Sequence, residues 1–323
     1  MTQLDAACGA FLGVCVGDAA GAVLEGHHDI PSSEEVERAL QMPGGGCWRV
    51  ASGQCTDDSE LAISLASALV ESREFDLESI AGQYRRWINS DPFDIGFTTG
   101  ASLGCAPTNP EAAVSASEMQ TSAKAVCMDS KANGSLMRCV ALGLWGWDLE
   151  DDELAGYARL DSSLSHPNLS CCDAVACYVL AIASLVRFPG ESERAGARAA
   201  RWAERQACDE VKRWIDLSQN GDEVSGRPHQ GFVKIAFVHA FRHLRMGSDY
   251  AESVRAVLKI GGDTDTNACI VGGLTGAAGG AGSIPESMRR PVLECDTEQG
   301  CPRPDWLHPK HVHRLAEKLI ERS

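Results

Sequence analysis

Ile260-Gly261-Gly262-Asp263-Thr264-Asp265-Thr266-Asn267-Ala268 combines a tight turn with two carboxylates at the mouth of a helix. The glycines free the backbone to turn, and Cys269, Ile270, Val271 and Leu274 continue as a helix rich in small residues. Asp or Thr at such a start satisfies orphan backbone donors. One cap needs one side chain. Two Asp carboxylates held together repel unless a proton or a cation lies between them.

The same surplus of acid recurs in Gly53-Gln54-Cys55-Thr56-Asp57-Asp58-Ser59-Glu60, which leads into Leu61, Ile63, Leu65, Ala66 and Leu69. Asp57 with Glu60 has the spacing of a capping box, and Asp58 and Glu60 suit the positive end of the helix dipole. Again one acid is left over. Two helix starts, each with Thr beside paired Asp, offer hard oxygen ligands suited to Mg, Ca or Mn. An EF-hand does not fit, because Ala268 and Leu274 stand where that loop needs Gly and a bidentate Glu.

Small residues set the expected architecture. With 44% apolar but only 6% aromatic residues, and 32 glycines, the composition suits closely packed helices. Gly9, Gly13 and Gly17 in a first helix over Leu4–Val23 would admit another helix at short range, and Gly272, Gly273, Gly276, Gly279 and Gly280 suggest the same downstream. Further helices are expected at Asp58–Glu71, Asp76–Asn89, Cys171–Val186, Glu191–Leu217, His229–Leu244 and Ser248–Lys259. Residues 27–52, with Pro31, Pro43 and glycines at 44–46, read as a surface loop. A strand at Val257, Leu258 and Ile260 finds no partner, so the expected fold is all-α. No linker divides the chain, and a single domain over 1–323 is expected.

The net charge of −16 disfavours nucleic acid and anionic membrane as primary partners. Fourteen cysteines without a CxxC pair, several in apolar helical runs, read as small buried hydrophobes rather than disulfides or zinc ligands. The absence of a basic leader and of an uninterrupted apolar span points to a cytoplasmic protein.

Five segments in order carry a resemblance: Gly17 to Glu25, Gly53 to Asp58, Ser130-Lys131-Ala132-Asn133-Gly134-Ser135-Leu136-Met137-Arg138, Ser165-His166-Pro167, and Gly261 to Asn267. Together, from about residue 9 to about 285, they resemble the ADP-ribosylglycohydrolase family. The resemblance implies one compact orthogonal helical bundle with its active-site cleft lined by helix N-termini and loops. It implies that Thr56, Asp57, Asp58, Asp263, Asp265 and Thr266 hold two divalent ions, Mg²⁺ or Mn²⁺, about 3.5–4 Å apart as in other two-metal sites. Asp57 or Asp58 would orient the attacking water, and Glu25 or Asp94 would handle the leaving group.

The Asn133-Gly134-Ser135 turn is a natural anion site. Within the resemblance it wraps the diphosphate of ADP-ribose, with Ser130, Asn133, Gly134 and Ser135 as contacts and His166 near the ribose or phosphate. Ala132 stands where many relatives have Gly. Met137 and Arg138 read as a packing residue and a structural ion-pair partner. The resemblance also implies that Asp94, in an Asp94-Ile95-Gly96 segment like that of the arginine-specific branch of the family, leans the substrate towards ADP-ribosylarginine, and an acid suits a cationic leaving group. The expected partner is thus an ADP-ribosylated protein, met by a monomer. Serine-linked or polymeric ADP-ribose, a non-catalytic ADP-ribose binder and a Mg-dependent phosphatase are the competing readings.

Overall fold

Helices Gln3–Gly21 and Thr264–Gly279 run antiparallel with almost no side chain between them. A Cβ on Gly9 would fall 2.2 Å from the carbonyl oxygen of Gly276, on Gly13 2.3 Å from that of Gly272, on Gly17 2.1 Å from that of Ala268, and on Gly21 2.3 Å from that of Thr264. Each step forward of four residues in one helix matches a step back of four in the other. Each glycine in a helix interior costs roughly 1 kcal/mol relative to Ala. Here the missing Cβ lets two backbones meet and admits two phenols: Tyr250 Oη donates to the Gly13 carbonyl at 2.7 Å and Tyr178 Oη to that of Ile270 at 2.8 Å.

The computed structural model describes residues 1–27, 29–109 and 113–321, and these contain no strand, only two isolated backbone bridges. In chain order the helices are α1 (Gln3–Gly21), α2 (Ser33–Ala39), α3 (Asp57–Ser72), α4 (Leu77–Ile88), α5 (Phe97–Leu103), α6 (Ala116–Cys127), α7 (Val140–Trp145) and α8 (Asp151–Ser163). Then follow α9 (Leu169–Arg187), α10 (Ser192–Gln206), α11 (Asp209–Asn220), α12 (Val233–Met246), α13 (Tyr250–Lys259), α14 (Thr264–Gly279), α15 (Glu286–Leu293) and α16 (Val312–Ile320). The fold is all-α, as expected. By length and hydropathy α1 and α9 could each cross a membrane, but 89% and 94% of those windows lie buried inside the protein. They are its central core helices. All fourteen cysteines are free thiols, most of them buried.

Three expectations are corrected. Residues 27–52 contain α2, started by a capping box in which Ser32 and Glu35 satisfy each other's backbone donors. The helix expected over Glu191–Leu217 is two, because the Cys208 N–H leaves the ladder and donates to the buried Asp173 carboxylate at 2.7 Å. His229 to Phe232 lie outside α12: Gly231 adopts φ +71° and its carbonyl accepts from Asn133 N–H at 3.0 Å. Val257 and Leu258 belong to α13, so the strand alternative fails.

Replacing Gly17 by Ala should lower the unfolding free energy by about 1–3 kcal/mol, because the atom met is helix backbone that cannot swing aside. Gly82, in α4 with nothing near its would-be Cβ, is the control: Gly82→Ala should be neutral or stabilising by up to ~1 kcal/mol. Urea unfolding of both variants measures the contrast.

Candidate active site

The glycine seam ends where the acids begin. Beyond Gly21 the chain turns and presents Glu25, whose carboxylate accepts the Thr264 backbone N–H at 3.1 Å, while the Thr264 hydroxyl donates to the Gly21 carbonyl at 2.9 Å. Gly261 and Gly262, at φ +66° and +84°, swing Asp263 into the N-cap position of α14, where its side chain makes no capping bond. It is left free for other work. Ligand oxygens of Glu25, Asp263 and Asp265 all lie within 4.8 Å of one another.

The start of α3 is capped from outside. Thr56 and Asp57 make no capping bond and the expected Asp57–Glu60 box is absent, because Thr56 is the N-cap and Ser59 stands at the third position. The fully buried Asp18 of α1 does the capping. Its carboxylate accepts the backbone N–H of Thr56 at 3.0 Å and of Ser59 at 3.1 Å, and both hydroxyls. Thr56 and Asp58 also approach at 3.1 Å, and Thr266 Oγ1 approaches Asp58 Oδ2 at 3.4 Å, so the two helix starts meet. Asp58 Oδ1 and the side-chain amide of Asn267 are buried with no hydrogen-bond partner among the described residues.

Burial is the first cause that raises the acids' pKa values, and like charge is the second. Asp57, Asp58 and Asp265 are driven well above the ordinary carboxylate range, Asp57 chiefly by desolvation and then by Asp94, Asp265 by desolvation and then by Glu25. Desolvation and then Asp263 raise Glu25 to about 7. Desolvation and then Glu25 raise Asp94 to about 7 as well. Asp18 rises only to about 6, because four hydrogen bonds oppose its burial.

Glu25, Asp57, Asp94, Asn133, Asp263 and Asp265 line a cleft of about 260 Å³. Phe97, at the first position of α5, lines it too and is 77% exposed. Asn133 Nδ2 donates to Asp263 Oδ2 at 2.9 Å, joining the anion turn to the acid cluster. A second recess of about 450 Å³, between residues 129–132 and 229–232, adjoins the first through Ala132, Gln230 and Gly231.

A relay fixes the tautomer of His166. Arg138, buried and ion-paired with Asp161, donates from Nη1 to Ser165 Oγ at 2.8 Å, leaving the Ser165 hydroxyl to donate to His166 Nδ1 at 2.8 Å. Nε2 then carries the ring proton. It lies where a Cβ on Gly134 would come within 3.0 Å, so the glycine clears its path. Burial first, then the Arg138 charge, lowers the His166 pKa to about 3, and the ring is a neutral donor.

The structure therefore gathers Asp57, Asp263, Asp265, Thr266, Glu25, Asp94, Asn133, Gly134 and His166 at one cleft, with Thr56 and Asp58 buried directly behind it. Ser130 lies in the second recess, with its hydroxyl 2.9 Å from Thr98 Oγ1. The Ser135 hydroxyl is buried and accepts from Ser162 at 2.9 Å, away from the cleft lining. Met137 packs in the core and Arg138 pairs with Asp161, the roles expected of them. Asp18 as an external cap, Phe97 and Gln230-Gly231 were not singled out from sequence. An Asp breaking the apolar run of α1 was the one available signal, since nothing apolar explains it.

The sequence profile described as ADP-ribosylglycohydrolase matches residues 1–323. A solved "ADP-ribosylglycohydrolase-related protein complex" superposes with a TM-score of 0.76 at 25% identity, covering 99% of both chains. An assumed ADP-ribosyl glycohydrolase of Acanthamoeba polyphaga mimivirus is 28% identical over 90% of this chain and 91% of its own. The ADP-ribosylarginine hydrolase Tri1 of Pseudomonas putida is 38% identical over 31% of this chain and 28% of its own length. With the ordered motifs gathered at one cleft and the whole chain matched, the protein belongs to the ADP-ribosylglycohydrolase family, enzymes that hydrolyse ADP-ribose linkages.

Proposed function

We propose that this enzyme releases ADP-ribose from arginine side chains of a modified protein and depends on two divalent cations, Mg²⁺ or Mn²⁺. The observation that carries the reading is Asp94, an acid with a pKa near 7 in the same cleft as Asp57 and the Glu25, Asp263 and Asp265 cluster. A guanidinium leaving group is held by an acid and needs a proton as it departs. Similarity to Tri1, named an ADP-ribosylarginine hydrolase, supports the same linkage.

The donor set suits hard cations. Asp58 Oδ1 is a buried carboxylate oxygen with no geometric hydrogen bond among the described residues, and the Glu25, Asp263 and Asp265 carboxylates converge within 4.8 Å in a group that contains no sulfur or imidazole. Thr56, Asp57, Asp58, Asp263, Asp265 and Thr266 would hold the ions, with Glu25 alongside. The chemistry such ions supply when bound is a water of lowered pKa and an anchor for vicinal hydroxyls.

The chain's own groups do the rest. The Asn133-Gly134 turn and the His166 Nε2–H offer neutral donors to the diphosphate, and the adjoining recess gives room for the adenosine half. Asp57 accepts a hydrogen from the attacking water as it approaches the anomeric carbon. The C–N bond breaks with oxocarbenium character that the surrounding carboxylates stabilise, and protonated Asp94 or Glu25 gives its proton to the departing nitrogen.

Purified enzyme given arginine-linked, serine-linked and polymeric ADP-ribose should release ADP-ribose from the first, should lose activity in EDTA and should regain it with Mg²⁺. Release only from serine-linked or polymeric substrate would overturn the linkage, and release unaffected by chelator would overturn the metal dependence. Asp57→Ala and Asp265→Ala should each fold and lose at least ~100-fold in turnover.

The acids also give stability a pH dependence of predictable sign. Glu25 and Asp94, at about 7 in the folded state against ordinary values near 4, bind more protons folded than unfolded between those limits. Their stabilising contribution is complete below about pH 4 and is lost as pH rises through 7. The melting temperature of chelator-treated protein should fall from pH 5 to pH 8, and Mg²⁺ should raise it more at pH 8 than at pH 5. A flat profile by differential scanning fluorimetry counts against this.

A further inference from the structure

Arg303, in the segment that joins α15 to α16, uses every N–H it has. Nε donates to Glu60 Oε1 and Nη2 to Glu60 Oε2, both at 2.8 Å, while the second Nη2 hydrogen reaches Ser90 Oγ at 2.8 Å. Nη1 donates to the carbonyls of Ser90 at 2.7 Å and Asp91 at 3.0 Å. Trp87 Nε1 completes the group by donating to Glu60 Oε2 at 2.7 Å. Arg303, Glu60 and Trp87 are all buried.

The same segment grips the chain a second time, two residues earlier. Cys301 N–H donates to Gln54 Oε1 at 3.1 Å and its carbonyl accepts from Gln54 Nε2. Gln54 and Glu60 bracket Thr56, Asp57 and Asp58, so one strap of chain holds both sides of that helix start. Its third hold, on the carbonyls of Ser90 and Asp91, lies just before Asp94.

A buried ion pair contributes little net stability compared with apolar packing of the same volume, so stability alone is a weak reason for this fork. Placement is a better one. Asp91 has φ +56° and Pro92 fixes the next φ, so little freedom separates the two clamped carbonyls from Asp94. Asp94 shares the cleft with Glu25, Asp57 and Asp263, and the like charges of Glu25, Asp18 and Asp263 oppose its ionisation.

We propose that Arg303 is a positioning residue, which pins the 90–94 loop to the first turn of α3 and so keeps Asp94 in the cleft opposite the leaving group. The catalytic consequence rests on the arginine-linked hydrolase reading above, whereas the clamp itself does not. Lys at this position keeps the charge but lacks the planar fork that holds a carboxylate and two carbonyls together.

Two readouts test this on Arg303→Lys and Arg303→Met, and the Lys variant decides the matter if the Met variant does not fold. In hydrogen–deuterium exchange, amides of residues 93–97 should exchange at least tenfold faster than in the parent, with residues 131–138 unchanged. Unchanged exchange at 93–97 overturns the clamp whether or not the enzyme cleaves arginine-linked substrate. In kinetics, kcat on ADP-ribosylarginine should fall at least tenfold while KM and the calorimetric Kd for ADP-ribose move less than threefold. In an Asp94→Ala background the same substitution should change the residual kcat less than twofold. Losses that multiply in that background, or that follow ADP-ribose affinity, overturn the positioning role.

Discussion

Backbone-to-backbone contact between α1 and α14 is the constraint from which the cleft follows. With glycine at every fourth residue of α1, the two helices approach until a single added Cβ would collide with a carbonyl oxygen. That approach puts the C-terminal end of one helix against the N-terminal end of the other. Glu25 and the Asp263–Asp265 pair meet because each lies just beyond the same end of the seam. Asp18, on the same α1, reaches the start of α3 and so sets a second acid-bearing helix in register with the first. A single rigid joint thereby places groups from three distant parts of the chain.

The cluster it assembles is held together at an electrostatic disadvantage. Desolvation and mutual repulsion raise the pKa values of Asp57, Asp58, Asp265, Glu25 and Asp94 together. Relief comes from hydrogen bonds to Glu25 from Thr264 and to Asp58 from Thr266, from the Asn133 amide on Asp263, and from helix N-termini that point positive ends at the acids. The contrast with His166 is instructive, since a charged neighbour there works through a hydroxyl to keep a ring neutral.

Much of this was legible in the sequence, and the limits have physical causes. The glycines announced close helix contacts, and surplus carboxylates at two helix starts announced that capping was not their only work. That Gly13 faces Gly272 was not legible, because the pairing depends on which helices become neighbours. Capping side chains from distant helices were equally hidden: Asp18 caps α3 and Asp173 interrupts the α10–α11 run, each across more than thirty residues. The capping box of α2 was present in Ser32 and Glu35, but its short apolar face gave no clear period. Arg303 lies in a tail with no motif, so only its five hydrogen bonds reveal it.

A joint that repeats itself every four residues has no intrinsic preference for one setting over the next. Sliding α14 by a turn would again set Gly13 against a glycine, Gly276 in place of Gly272. What forbids the slip lies outside the repeat, in the Tyr250 phenol on the Gly13 carbonyl, the Thr264 hydroxyl on Gly21, and the Asp5 carboxylate on Ala281 N–H at the opposite end. These three bonds act as detents on an otherwise ungraduated scale. Since a turn of helix is about 5.4 Å, wider than the spread of the Glu25, Asp263 and Asp265 ligand oxygens, the meeting of these three acids depends on stops that lie outside the glycine repeat.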